Sequence, residues 1–220
     1  MSVAIPFSQA LRERTGSRRR VDGPSASERF MTDLMTGRRS RDDYVALVAQ
    51  NFFVYRALER AAERRADDPV ARLFISPALT RLPAIGHDLN FLMGDDWAER
   101  IAPLATTESY VTRIETVAAT TTGGFVAHHY TRYLGDLSGC TIIRTLMQRQ
   151  FGFETNGVGF YLFAGIARPK EFKSTYRSQL DAVGWSEEER ERVIDEVGVA
   201  YRLTEELFEE LDSTRATTAA

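Results

Sequence analysis

Residues 128–140 read HHYTRYLGDLSGC, with two glycines four positions apart, Gly135 and Gly139, between flanks that carry the apolar spacing of a helix. A glycine inside a helix costs roughly 0.5–1 kcal/mol relative to alanine, so two on one face call for an offset. Residues four apart stack on the same helical face. One reading is helix–helix contact, in which small residues let two backbones approach. The other is close approach of the helix backbone to a flat ligand. Asp136 sits beside Gly135, and Arg132 lies one turn earlier, in position to pair with it. A bare face with an acid at its edge suits a planar ligand with chemistry at its rim. Ser138 either belongs to that face or bonds back to a backbone carbonyl.

Outward from this run the helical period continues. Ser40 and Asp43 form a capping-box pattern ahead of Tyr44, Leu47, Val48, Phe52, Tyr55 and Leu58. Ser76-Pro77 opens a helix expected to run to Gly94, with Pro83 as a bend. Further helices are expected over 106–120, over 124–150 and from Pro169, and a last one capped by Ser186 and Glu189. No alternating pattern long enough for a sheet appears. The class is all-α, a single domain over 1–220 of seven or eight helices. Residues 16–29, GSRRRVDGPSASER, read as irregular, and 213–220 as a frayed tail.

Composition narrows the function. With 43% apolar and 27% charged residues the chain has an ordinary globular make-up, and its net charge of −3 gives no nucleic-acid footprint. The single cysteine, Cys140, excludes an internal disulfide. No apolar run has the length of a membrane span, and MSVAIPFSQALRERTG lacks the form of a secretory signal. The expectation is a cytoplasmic protein without a membrane partner. Nothing in the sequence fixes the oligomeric state.

The run VAHHYTRYLGDLSG, residues 126–139, strongly resembles the distal helix of the haem oxygenases. FMTDLMTGRRSRDDYVALVAQNFFVYRALE (30–59), GFYLF with GIARPKEFKSTYR (159–177) and FEELD near the C-terminus are similar to further parts of that family, so the likeness spans about residues 5–212. It implies a haem oxygenase-like helical fold in which haem lies against a kinked distal helix, with Gly135 and Gly139 at the porphyrin face. It implies that Asp136 holds a distal water network that delivers protons, supported by Tyr55, Glu59 and Arg132. It implies that Arg12, Tyr130, Lys173 and Arg177 meet the haem propionates. A network position that is asparagine in relatives falls on Thr204, and the second glycine of a family pair falls on Cys140. The implied reaction is oxidative cleavage of haem to biliverdin, carbon monoxide and ferrous iron, in iron acquisition or haem clearance. Haem is then both substrate and prosthetic group. An external electron donor of ferredoxin or reductase type is needed, since no flavin or nicotinamide motif is present.

The resemblance breaks on one side. The family's axial histidine position falls on Arg19, so no metal ligand is assigned. Counted back from Phe30, it falls on Asp22 instead. No histidine precedes His87, and His128 and His129 lie on the distal helix. For each of the three a structural or surface role is expected. Arginine stays protonated and offers iron no lone pair. Two origins fit the stretch: a diverged member that lost the ligand, or an out-of-frame read through GC-rich coding sequence. The alternative function is a non-catalytic haem- or tetrapyrrole-binding homologue.

Overall fold

The computed structural model describes residues 5–18 and 23–218, with side chains for 5–13 and 23–214. The described residues form helices and no strands. They are α1 (Phe7–Arg18), α2 (Ala26–Met35), α3 (Arg41–Arg64), α4 (Leu82–Met93), the single turn α5 (Trp97–Arg100), α6 (Ala105–Arg113), α7 (Thr122–His129), α8 (Gly135–Phe151), α9 (Pro169–Ala182) and α10 (Glu187–Thr218). A π-helical turn, Ile114–Ala118, extends α6, and a second, Tyr130–Leu134, joins α7 to α8.

Local chemistry accounts for most boundaries. Ser40 accepts from the Asp43 N–H while the Asp43 carboxylate accepts from the Ser40 N–H, the reciprocal cap expected of α3. Ser186 and Glu189 do the same before α10. Gly152, at φ +69°, ends α8 in the left-handed conformation that a side chain disfavours.

Three boundaries differ from expectation. The span 76–94 is two pieces, a short 3-10 turn at Pro77–Leu79 and then α4. Pro83 lacks an N–H and its ring would strike the Leu79 carbonyl, so it stands in the first turn of α4 instead of bending a longer helix. The irregular stretch 16–29 is narrower than expected. α1 continues to Arg18, and Ser25 and Glu28 form a capping box that starts α2 at Ala26. That S-x-x-E pattern stands in the sequence, masked there by its arginine- and glycine-rich surroundings. Residues 19–22, including Arg19 and Asp22, lie outside the described residues. At the other end α10 continues to Thr218, beyond the tail expected to fray from residue 213.

α3 runs through the centre, burying Tyr44, Leu47, Val54, Tyr55 and Leu58. α10 packs chiefly against α7, α2 and α6 and ties the last two down with acids. Glu205 accepts from the Ser27 N–H and hydroxyl (2.9 and 2.5 Å) in the first turn of α2. Glu210 accepts from the Thr106 N–H and hydroxyl (2.9 and 2.5 Å) in the first turn of α6. Each carboxylate meets unsatisfied N–H groups at the positive end of a helix. Asp181 of α9 likewise accepts from the Ser8 N–H and hydroxyl (2.7 and 2.8 Å), which anchors α1 against α9.

Candidate functional site

The π turn at Tyr130–Leu134 places an extra residue in the helix that contains the opening motif, and such turns divert a helix axis locally. Immediately after it, a side chain built on Gly135 meets nothing within 4 Å. The helix backbone is therefore bare toward open space and not toward another helix. That space is a cavity of about 300 Å³ between α2, α3, α8, α10 and the loop before α9. The volume is at the lower end of small-ligand sites, roughly 300–1,000 Å³. Met31, Leu47, Ile143, Phe160 and Phe208 give it apolar walls. A side chain on Gly139 would instead approach Ile143 Cδ1 at 3.3 Å, so the second glycine lies beside the Ile143 wall.

Polar groups converge at one side of the cavity. Tyr55 of α3 donates its hydroxyl to Asp136, the residue after the bare glycine. Burial pushes the Asp136 carboxyl well above the ordinary range. Tyr161 also lines the cavity, and burial together with nearby Asp136 and Asp88 raises its phenol. Its position is set from below. Asp88 accepts from the Gly159 and Phe160 N–H groups (2.9 and 2.7 Å), Arg81 donates to the Phe160 and Leu162 carbonyls (3.1 and 3.0 Å), and Tyr44 donates to the Gly157 carbonyl (2.6 Å). These bonds satisfy a loop with no ladder of its own and hold Phe160 and Tyr161 against the slot.

Among the proposed site residues, Gly135, Asp136, Arg132 and Tyr55 come together. The Arg132–Asp136 pair does not form among the described residues; Arg132 donates to Asn51 Oδ1 at 2.8 Å instead. Glu59 lies away from the cavity lining. It accepts from the Arg81 and Leu82 N–H groups (2.5 and 3.1 Å) and so caps α4. Its carboxyl is nonetheless raised, because burial outweighs those two bonds. Ser138 bonds back to the Leu134 carbonyl (2.6 Å), the simpler of its two readings, while its oxygen accepts from Lys173 Nζ (2.9 Å). Cys140 is buried in the packing and does not line the cavity. Thr204 lines it and donates to the Ala200 carbonyl (2.9 Å).

The basic set also gathers. The Tyr130 hydroxyl lies against the Arg177 guanidinium with Arg12 beside it, although burial still raises the phenol. Arg177 lies close to Lys173, whose ammonium is lowered first by burial and then by that neighbour. Ser8 and Asp181 set this arrangement by fixing α1, and with it Arg12 one turn later, against α9. Tyr201, which lines the cavity, lies near Tyr130 and connects the cluster to the slot.

The histidines are engaged elsewhere. His128 Nε2 pairs with Glu196 (2.9 Å), whose other partner is Arg113 (2.5 Å). Burial of Glu196 works against its charge, yet bonds from His128 and Arg113 hold its carboxyl down to about 2. His129 is enclosed, with Nδ1 on the Tyr176 hydroxyl at 3.0 Å, and burial alone lowers it to about 3. His87 lies on α4. None of the three lines the cavity.

The family's sequence model, "Heme oxygenase", matches residues 5–210. This chain belongs to the haem oxygenase family. It is 32% identical over 210 residues to heme oxygenase 1 of Synechocystis, covering 96% of this chain and 86% of that protein. Against heme oxygenase 1 of Homo sapiens it is 35% identical over 213 residues, covering 96% and 73%. The crystal structure of the Synechocystis heme oxygenase-1 in complex with heme superposes with a TM-score of 0.86 at 32% identity, covering 98% of this chain and 96% of that one. Heme oxygenase-2 of the same organism, in complex with heme and NO, gives 0.87 at 28% identity, covering 96% and 86%. The all-α haem oxygenase fold is thus this chain's fold. Among the described residues no helix is long and apolar enough to cross a membrane.

The residues of this candidate site that a reading of the sequence alone does not single out include Asn51, Tyr161 and Glu205. Asn51 leaves a trace, a polar residue on the apolar stripe of α3 one turn before Tyr55. Tyr161 leaves one only as part of the family-like run GFYLF, with no role of its own, and Glu205 leaves none; both enter the site through loop and helix placement.

Proposed function

We propose that this chain binds haem in the slot over Gly135 and cleaves it to biliverdin, carbon monoxide and ferrous iron. The observation that carries this reading is the bare backbone at Gly135 opening onto an apolar cavity with Asp136 and Tyr55 at its edge. These residues fit a flat macrocycle. A glycine admits the ring to the helix backbone, apolar walls cover its faces, and the bases clustered around Tyr130 and Arg177, namely Arg12 and Lys173 with Arg177 itself, would meet its carboxylate tails. When bound, the haem iron supplies the oxygen chemistry that opens the ring. Asp136, protonated more readily than an ordinary carboxyl, holds and passes a proton at the edge of the slot, and Tyr55 fixes its orientation. Phe160 and Met31 exclude bulk water. Electrons come from an external donor of ferredoxin or reductase type, and the chemistry fits iron acquisition or haem clearance in the cytoplasm.

A second reading has its own observation. No histidine precedes His87, and the three present lie away from the cavity. A haem-binding homologue without turnover meets that pattern. Hemin titration followed by reductant and oxygen separates the two: a catalyst binds and yields biliverdin, whereas a binding protein retains the hemin spectrum unchanged. No hemin uptake overturns both.

A further inference from the structure

Arg132 is half-buried beside the slot, with its Nε fully enclosed and unpartnered. Burial lowers its pKa. Its guanidinium lies over the Tyr55 ring, 5.0 Å from the centroid, and its one hydrogen-bond partner among the described residues is Asn51 Oδ1 at 2.8 Å. Arginine has donors only, so the Asn51 oxygen must face it. The Asn51 amide nitrogen is then turned the other way. It has no hydrogen-bond partner among the described residues, and Asn51, 7% exposed, lines the cavity. Asn51 stands one helical turn before Tyr55, so the two side chains share a face of α3.

We propose that Asn51 is a positioning residue of this site: its oxygen fixes Arg132, and its Nδ2–H group donates to an oxygen atom seated in the slot beside Asp136. Each half of one carboxamide has a separate task, one structural and one directed at the ligand. The other ionisable groups around the cavity are Asp136, Arg132, Tyr161, Tyr201, Glu28 and Glu205. None of these supplies a neutral N–H donor there. The proposal rests on the haem reading above.

The test compares wild type, Asn51→Leu and Asn51→Asp. The measurements are hemin affinity, the pH midpoint of the visible spectrum of the ferric hemin complex, kcat and KM for biliverdin formation, and thermal unfolding without hemin. Asn51→Leu removes both halves. It is expected to unfold at lower temperature, to move the spectral midpoint up by about half a pH unit or more, and to lower kcat by about tenfold or more with little change in KM. Asn51→Asp keeps the acceptor for Arg132 and removes the donor. Its unfolding temperature should therefore approach wild type while the midpoint and kcat shift as in Asn51→Leu. If Asn51→Leu does not fold, Asn51→Asp alone decides. A protein whose Asn51→Asp variant keeps the wild-type midpoint and kcat uses Asn51 only to hold Arg132, and the proposal is overturned. A wild type that takes up no hemin overturns the haem reading and this proposal together, which is distinct from a wild type that binds while the variants match it.

Discussion

Tyr55 donates its hydroxyl to Asp136, joining the middle of α3 to the first turn of α8 beside the bare face of Gly135. The bond gives the acid one fixed orientation and leaves its second oxygen for the slot. It also places an ionisable group where burial outweighs every other influence on it.

That burial sets a pH dependence of stability. The folded Asp136 carboxyl has a pKa above its unfolded value of about 3.9, so between the two values the folded state holds the proton and the unfolded state does not. Stability contributed by this group is complete below the unfolded pKa and is lost as pH rises through the folded one. Asp136→Asn removes the effect and keeps an acceptor for Tyr55. Thermal unfolding should show the Asp136→Asn variant more stable than wild type at neutral pH, with the gap closing on acidification. Its turnover should fall about a hundredfold.

Gly135→Ala separates folding from binding. The added methyl meets nothing within 4 Å, so the hemin-free protein should gain roughly 0.5–1 kcal/mol in urea unfolding from better helix propensity. The same methyl occupies the slot, and hemin titration should show affinity reduced by about tenfold or more, as a steric misfit of about 1–3 kcal/mol gives. Equal affinity would place the ligand elsewhere.

The cluster of Lys173 and Arg177 predicts a salt effect. Hemin affinity of the double alanine variant should be lower than wild type at low ionic strength, and the difference should shrink as salt rises, since charges near the surface are screened over about 8–10 Å at roughly 0.1–0.15 M. Titrations at two salt concentrations suffice, and identical slopes in both proteins would remove these residues from the propionate role.

Glu205 predicts a stability effect through α2. Glu205→Ala leaves the Ser27 N–H and hydroxyl without their shared acceptor. Chemical unfolding should show a loss of about 1–2 kcal/mol, the range for a lost helix-start acceptor. Hydrogen exchange should rise in 26–30, because the first turn of α2 depends on this bond.

The sequence by itself determined most of the helices and the glycine spacing on one helix face. Caps and turns are local: Ser40 with Asp43, Ser186 with Glu189 and Pro169 at a helix start act within four residues, so they are legible in one dimension. The spacing of Gly135, Asp136 and Gly139 is likewise local. Ser25 and Glu28 are equally local, but a setting rich in arginine and glycine gives them the look of a loop. Tertiary structure alone decided the partners. Arg132 is one turn from Asp136 and still bonds to Asn51, 81 residues away. Glu59, one turn beyond Tyr55 on the same helix, turns aside to cap α4. Ser8 and Asp181, 173 residues apart, fix where Arg12 meets α9. Helix periodicity states which face a side chain is on; which donor or acceptor waits opposite depends on how the helices cross, and the crossing is set by packing over the whole core.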